Sequence, residues 1–349
     1  MSVQRAIARV LEREDLSRAD MAEVIGIIMD GQATPAQIGG LLVALRAKGE
    51  TVDELVGAAE AMRGRALAIA CHDHERSIDT CGTGGDGAGT VNVSTLAAIV
   101  VAACGGVVAK HGNRAQSSRC GSADVLEALG IGVDADPAHV EASLRAASIG
   151  FMFAPRFHAA TRHAAGPRKE LGTRTIFNLL GPLTNPARVR HQVVGVFAAK
   201  WCEPMAAALG ALGVRRAAVV HGAGGPSGID ELAARGQTFT AIWDEAERST
   251  RTLVLTPASF GARDADPAGL AGGDAAHNAA IATDLFAGRG VAEAVRTSVA
   301  MTAALALEML QPGALELGRL PAHYARATAA MLDGGAKRVL EQWREASRA

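Results

Sequence analysis

Cys81-Gly82-Thr83-Gly84-Gly85-Asp86-Gly87-Ala88-Gly89-Thr90, followed by Asn92-Val93-Ser94-Thr95, is the stretch that decides the fold. Upstream, Ser77-Ile78-Asp79-Thr80 reads as the strand leading into it; downstream, 95–104 reads as an Ala/Val helix. Strand, glycine-rich turn and helix together open an α/β unit. Five glycines in eight positions let the backbone approach a ligand closely. N–H groups at the helix start suit a phosphate or pyrophosphate. Ser94 and Thr95 add hydroxyls that can donate to phosphate oxygens or ligate magnesium. A plain glycine turn would look the same, so the segment needs company.

Working outward, Val107-Val108-Ala109 is strand-like and runs into Lys110-His111-Gly112-Asn113-Arg114-Ala115-Gln116-Ser117-Ser118, with Gly121-Ser122-Ala123-Asp124 beyond. Two cations, an amide and several hydroxyls in a strand-to-helix loop are the inventory of an anion cradle. Further strands are expected at 192–198 and 217–221, with helices alternating between them. The fold class is therefore α/β, a central, mostly parallel sheet. A loop is expected at 264–274, two helices within 278–310, and one or two within 320–347.

Residues 1–68 differ in texture and read as short helices only. Ser17 and Asp20 form an N-terminal capping pattern, Thr34-Pro35-Ala36-Gln37 a second and Thr51 with Glu54 a third, while Gly31 and Gly49 serve as stops. Ile38, Leu41, Leu42 and Leu45 recur at helical spacing. A chain of 349 residues suits two domains at roughly 150 residues each. The expected division is a small helical domain, 1–70, joined by part of a hinge at 170–190, and a larger α/β domain, 71–349.

The charge balance excludes some classes. A formal net charge of -1 lacks the footprint of a general nucleic-acid binder. The N-terminus is charged throughout, without an apolar signal core, and no apolar run approaches the roughly 20 residues that span a bilayer. The five cysteines contain no Cys-x-x-Cys pair and read as reduced thiols of a cytoplasmic protein. Cys71-His72-Asp73-His74 reads as a polar connector rather than a metal cluster, having no paired ligands elsewhere.

Two further segments carry chemistry only in context. Arg156-Phe157-His158 through Arg162-His163 to Pro167-Arg168-Lys169-Glu170 reads as a charged helix, with His158 and Arg162 sharing a face. Arg168 could grip a carboxylate with two prongs. Gly228-Ile229-Asp230-Glu231 sets adjacent carboxylates at a strand edge, suited to magnesium shared with phosphate oxygens.

Taken together, GTGGDG, NVST, KHGNRAQSS, GSADVLEALG, PAQIGGLLVALRAKGETVDEL and RKELGTRTIFNLLGPLTNPA resemble the anthranilate phosphoribosyltransferase family in order and spacing. The resemblance runs from about residue 8 to residue 240. It implies transfer of a phosphoribosyl group from phosphoribosyl pyrophosphate to anthranilate in a cleft between the two domains, with Mg2+ as cofactor. It implies a homodimer acting on small molecules, with no nucleic acid or membrane partner. Residue by residue, it implies that Gly82, Gly85, Asp86 and Thr90 line the phosphoribosyl pyrophosphate site. Asn92, Val93, Ser94, Thr95, Lys110, His111, Gly112, Asn113, Arg114, Ala115, Gln116, Ser117, Ser118 and Ser122 would hold its phosphates. Ser94, Asp230 and Glu231 would take the metal, and Gly82, Asn113, His158 and Arg168 would face anthranilate. Lys110, Asp230 and Glu231 are the expected catalytic groups.

The chain departs from the family pattern in places. Ala159-Ala160-Thr161 stands where Pro-Ala-Met is usual. Gly-Gly-Asp-x-x-Glu-Asn becomes Gly272-Gly273-Asp274-Ala275-Ala276-His277-Asn278. Rival readings are a different aromatic acceptor, a nucleoside phosphorylase and a non-catalytic nucleic-acid binder. KHGNR in place of a Lys-x-Ser phosphate signature argues against the second, and the neutral charge against the third.

Overall fold

The computed structural model describes residues 1–115, 119–225 and 227–348. Four helices open the chain: α1 (Val3–Leu11), α2 (Arg18–Met29), α3 (Pro35–Lys48) and α4 (Val52–Arg63). Their starts follow the side-chain chemistry. Ser17 accepts the Asp20 amide, while Thr34 with Gln37 and Thr51 with Glu54 close reciprocal capping boxes. Glu54 also accepts the Leu16 amide at 3.0 Å and pairs with Lys48, so a buried carboxylate cross-links the bundle.

The remaining chain alternates strands and helices. The strands are β1 (Ser77–Gly82), β2 (Val107–Gly112), β3 (Ile149–Phe153), β4 (His191–Gly195), β5 (Arg216–Gly222), β6 (Thr238–Asp244) and β7 (Ser249–Leu255). The helices are α5 (Val93–Ala103), α6 (Ser122–Ala128), α7 (Pro137–Ala147), α8 (Ala154–Phe157), α9 (Arg162–Leu171), α10 (Phe177–Leu183), α11 (Cys202–Ala211), α12 (Ala275–Phe286), α13 (Glu293–Met309), α14 (Leu320–Leu332) and α15 (Gly335–Ala346). The sheet order is β3-β2-β1-β4-β5-β6-β7. The first five strands pair in parallel; β6 and β7 add on antiparallel.

Alternation along each strand feeds two cores. Val193, Ala218 and Val220 join the core under α5, α13 and α14, while Val194, Ala217 and Val219 face the opposite core. That second core also holds the apolar faces of α1–α4, with Phe177, Leu179, Leu180 and Leu183 of α10. Burial on both faces is what a parallel sheet requires. The fold is thus a small N-terminal helical domain beside a larger α/β domain, with a seven-stranded, mostly parallel sheet.

Several expectations change. The strand expected at 192–198 is His191–Gly195, and β3, β6 and β7 carried no expectation. Lys110 and His111 are not in a loop: β2 continues to Gly112, pairing Lys110 with Phe151 and His111 with Met152. His158 does not share a helix with Arg162. Its φ of -121° and ψ of 52° separate α8 from the short turn before α9.

Candidate active site

Strand order reverses direction between β1 and β4, and open α/β sheets bind ligands at such a point, beyond the strands' carboxyl ends. The loop after β1 lies there. Thr83 N–H donates to the Gly195 carbonyl at 2.9 Å, and the Phe197 N–H donates to the Thr83 hydroxyl at 3.1 Å. A cleft of about 620 Å³ opens over this floor, between the sheet's edge and the segment carrying α9 and α10.

At one end the loop meets the acidic pair. Asp230 accepts the Gly84 N–H at 2.8 Å, and its own N–H donates to Asp86 at 3.2 Å. Glu231 accepts the Ser94 N–H at 3.3 Å, at the start of α5. Burial raises the Asp230 pKa to about 7, with Asp86 repelling it as well. Burial raises Glu231 well above the carboxylate range, and Asp230 adds to it. Both residues keep part of their surface open. The effect therefore reflects dense walls and mutual repulsion rather than complete exclusion of water. The neighbouring cation, Lys110, is buried, and its Nζ donates to the Thr80 carbonyl at 2.6 Å.

Crowded carboxylates without a dedicated cation fit a divalent ion. Among the described residues no group of three or more His, Cys, Asp or Glu could hold a metal. Asp230, Glu231 and the Ser94 hydroxyl would thus supply part of a shell completed by water and substrate oxygens, as Mg2+ prefers.

The second loop forms the flank. The Ser122 hydroxyl bonds the Asn113 backbone at 3.2 Å, and Asp124 accepts the Ala115 and Gly121 amides at 2.8 Å each. Arg114 is held by Asp124 at 3.1 Å and by Glu127 at 2.8 Å. Gln116, Ser117 and Ser118 lie outside the described residues.

Another part of the lining is different in character. His111 and His158 face each other with ring centroids 5.0 Å apart. His111 Nδ1 meets the Gly181 carbonyl at 3.1 Å, and its Nε2 has no partner among the described residues; His158 has only a loose contact with the Thr184 backbone. Burial pulls His111 down to about 3, with His158 contributing, and pulls His158 down to about 4. Both rings are neutral at pH 7. Arg168, half-buried, stacks over Phe177 at 5.0 Å; partial burial lowers its pKa, and no carboxylate pairs with it among the described residues.

Gly82, Gly85, Asp86, Thr90, Asn92, Ser94 and Thr95 line the cleft, as do Lys110 through Ala115, Ser122, His158, Arg168 and Asp230. Val93 does not: its side chain is in the core. Glu231 is not among the lining residues, but it accepts the N–H of Ser94, which is. Residues without a site expectation also line the cleft, among them Thr161, Arg162, Asn178 and Gly181. Arg174 adds a further unexpected contact, donating to the Gly85 carbonyl while stacked on Phe197 at 4.4 Å. All but Phe197 fall in or beside the RKELGTRTIFNLLGP segment, where closeness to Arg168 was the available signal.

A family model described as a glycosyl transferase family a/b domain matches residues 74–337, and one described as that family's helical bundle domain matches residues 4–66. Fold and cleft thus define a glycosyltransferase built from these two parts. An anthranilate phosphoribosyltransferase of Anaeromyxobacter sp. (strain K) is 52% identical over 305 residues, 87% of this chain and 88% of its own length. The crystal structure of the Thermus thermophilus enzyme of that name superposes with a TM-score of 0.89 at 40% identity, covering 99% of each chain. The Saccharomyces cerevisiae enzyme, solved in complex with PRPP and Mg, gives 0.86 at 25% identity over 99% of this chain and 98% of its own. The chain belongs to the anthranilate phosphoribosyltransferase family, enzymes of the pentosyl-transferring class.

Proposed function

We propose that the cleft transfers the 5-phosphoribosyl group from phosphoribosyl pyrophosphate to anthranilate, giving N-(5-phosphoribosyl)anthranilate and pyrophosphate for tryptophan synthesis. The observation that carries this reading is Arg168, a half-buried guanidinium that lines the cleft, stacks on Phe177 and has no carboxylate partner among the described residues. A partly desolvated guanidinium that lacks a counter-charge favours an anionic ligand, and the anthranilate carboxylate would supply one through a two-pronged contact. His111 and His158, unprotonated, offer ring nitrogens that accept hydrogen bonds near the acceptor.

Backbone N–H groups of the two loops would cradle the phosphates. When bound, Mg2+ supplies positive charge to the leaving pyrophosphate; Asp230, Glu231 and Ser94 would hold it. The C1–oxygen bond breaks with its electron pair leaving on pyrophosphate, through an oxocarbenium-like transition state. The aromatic amine forms the new C1–nitrogen bond and sheds a proton. Lys110, fixed on Thr80, adds a positive charge to the floor without a flexible search. Holding donor and acceptor in register supplies much of the acceleration.

The α1–α4 bundle, taken as 1–70 with part of 170–190, would form the wall that carries the acceptor end. Arg63 ties α4 to the Leu183 and Leu212 carbonyls at 2.7 and 3.0 Å. The outer face of α3, with Ala36, Gly40, Val43 and Ala47 exposed beside Leu11 of α1, fits a homodimer contact. No described helix is long and apolar enough to cross a membrane. A cytoplasmic location suits a phosphorylated donor that does not cross bilayers.

The test is direct. Purified protein with phosphoribosyl pyrophosphate and Mg2+ should extinguish anthranilate fluorescence and release pyrophosphate in equal amounts. Pyrophosphate release without loss of anthranilate would overturn the acceptor assignment. Light scattering that finds only monomer would overturn the dimer.

A further inference from the structure

Leu270 to Asn278 lies far along the chain from the glycine loop, yet it is stitched to it. The Val91 N–H donates to the Leu270 carbonyl at 2.9 Å, the Gly272 N–H donates to Gly89 at 2.8 Å, and Thr90 bridges Ala271 in antiparallel fashion. The approach is close enough that a Cβ on Gly272 would stand 2.7 Å from the Thr90 carbonyl. Asn278, buried at the first turn of α12, completes the clamp. Its Oδ1 accepts the Gly273 N–H at 2.8 Å, and its Nδ2 donates to Asn92 Oδ1 at 2.9 Å. Asn92 Nδ2 in turn donates to the Cys120 carbonyl at 3.1 Å.

The relay has one possible polarity. One end is a backbone N–H, which only donates; the other is a backbone carbonyl, which only accepts. Both amides between them are thereby fixed in orientation. Flipping either would set two acceptors, or two donors, against each other. Three separate segments converge on this pair: the strand-like turn at 270–273, the start of α5, and the end of the second cradle loop at Cys120.

We infer that Asn278 is a positioning residue for the pyrophosphate-donor site, acting through the side chain of Asn92. The inference rests on the reading of Asn92 as part of the phosphate cradle. Asn278 itself does not line the cleft; it locks Asn92, and through it the spacing of both phosphate loops. The expected consequence is selective: loosening the relay weakens phosphoribosyl pyrophosphate without touching the acceptor end.

Asn278→Asp is the informative change. It keeps the oxygen that accepts from Gly273 and the side chain's shape, and it replaces the donor to Asn92 with an acceptor. The KM for phosphoribosyl pyrophosphate should rise roughly tenfold, on the scale of a lost buried hydrogen bond. The anthranilate KM should stay within about twofold. Asn92→Ala should raise the same constant, and the Asn92→Ala/Asn278→Asp double variant should add little to Asn92→Ala alone. Direct calorimetry of donor binding to Asn278→Ala gives the same reading without turnover. If both KM values rise together with a fall in melting temperature, Asn278 is merely structural and the inference fails. If Asn92→Ala moves the donor KM and Asn278→Asp does not, the inference fails while the cradle stands. If Asn92→Ala leaves donor binding unchanged, the cradle reading fails and takes the inference with it.

Discussion

The Asp230 carboxylate occupies the space that a side chain on Gly82 would fill: a Cβ there would lie 2.8 Å from Asp230 Oδ2. The same oxygen accepts the Gly84 amide at 2.8 Å. Two loops far apart in sequence interlock here, so the glycine turn and the acidic pair form one unit. The interlock continues through the backbone, where a Cβ on Gly195 would stand 1.6 Å from the Asp230 carbonyl oxygen.

Alanine at these two glycines should therefore give different phenotypes. Gly82→Ala meets the end of a side chain, which can swing aside. It should fold, with turnover down about 100-fold or more once Asp230 is displaced from the loop. Gly195→Ala meets backbone and should cost about 3 kcal/mol or more, or abolish soluble expression. Thermal melts alongside initial rates decide; similar melting temperatures for the two variants would contradict the geometry.

Much of this unit was legible in the sequence, because glycine spacing between a strand and a helix has few other uses. The capped helices of the first 63 residues were legible for a similar reason: Ser17, Thr34 and Thr51 announce their starts. The β6–β7 hairpin was not, since its turn runs through Glu245-Ala246-Glu247-Arg248 without Asn-Gly or Asp-Gly, Arg248 taking the left-handed φ of 48°. Lys110 was misplaced because Lys-His-Gly-Asn-Arg carries no apolar alternation, though its first three residues finish β2. Polar residues on a strand end are chosen by what they face across the sheet, here Thr80, and no local pattern reports that. The Asn278–Asn92 contact joins residues 186 apart, and it was invisible for the same reason.

Arg168→Ala should separate the two substrates. The guanidinium has its stacking contact on Phe177 but no carboxylate partner among the described residues, so its removal should leave the donor cradle untouched. The anthranilate KM should rise about 10- to 100-fold, the scale of a charge-assisted bidentate contact. The phosphoribosyl pyrophosphate KM should move less than about twofold. Equal loss for both would remove Arg168 from the acceptor site.

The histidine pair should be silent across the physiological range. Burial holds His111 near 3 and His158 near 4, below the ordinary 6.5. A depressed histidine contributes stability that is present above pH 6.5 and is lost as pH falls toward its folded value. The ring proton resonances of both should stay fixed from pH 8 to pH 5, while stability begins to fall below about 6.5. A midpoint near 6.5 for either ring would show that water reaches it.

Asp230 and Glu231 carry the opposite sign. Their folded pKa values are raised, so their contribution to stability is fully present below the ordinary carboxylate range and is lost as pH rises through about 7 for Asp230. At pH 8 without ligands, the ionised pair therefore strains the native state. Asp230→Asn with Glu231→Gln keeps shape and removes that charge, so the double variant should melt higher than the parent at pH 8, and the gap should narrow as pH falls and close only below about pH 4. The function should suffer as the stability gains. Turnover should fall about 100-fold or more, and the Mg2+ requirement should shift upward. The parent's own Mg2+ requirement should drop between pH 6 and pH 8, because the carboxyls must release protons before they can ligate. Isothermal titration in two buffers of different ionisation enthalpy would count those protons in the presence of phosphoribosyl pyrophosphate. A double variant with the parent's Mg2+ dependence, or a parent whose Mg2+ requirement is flat from pH 6 to pH 8, would place the metal away from this pair.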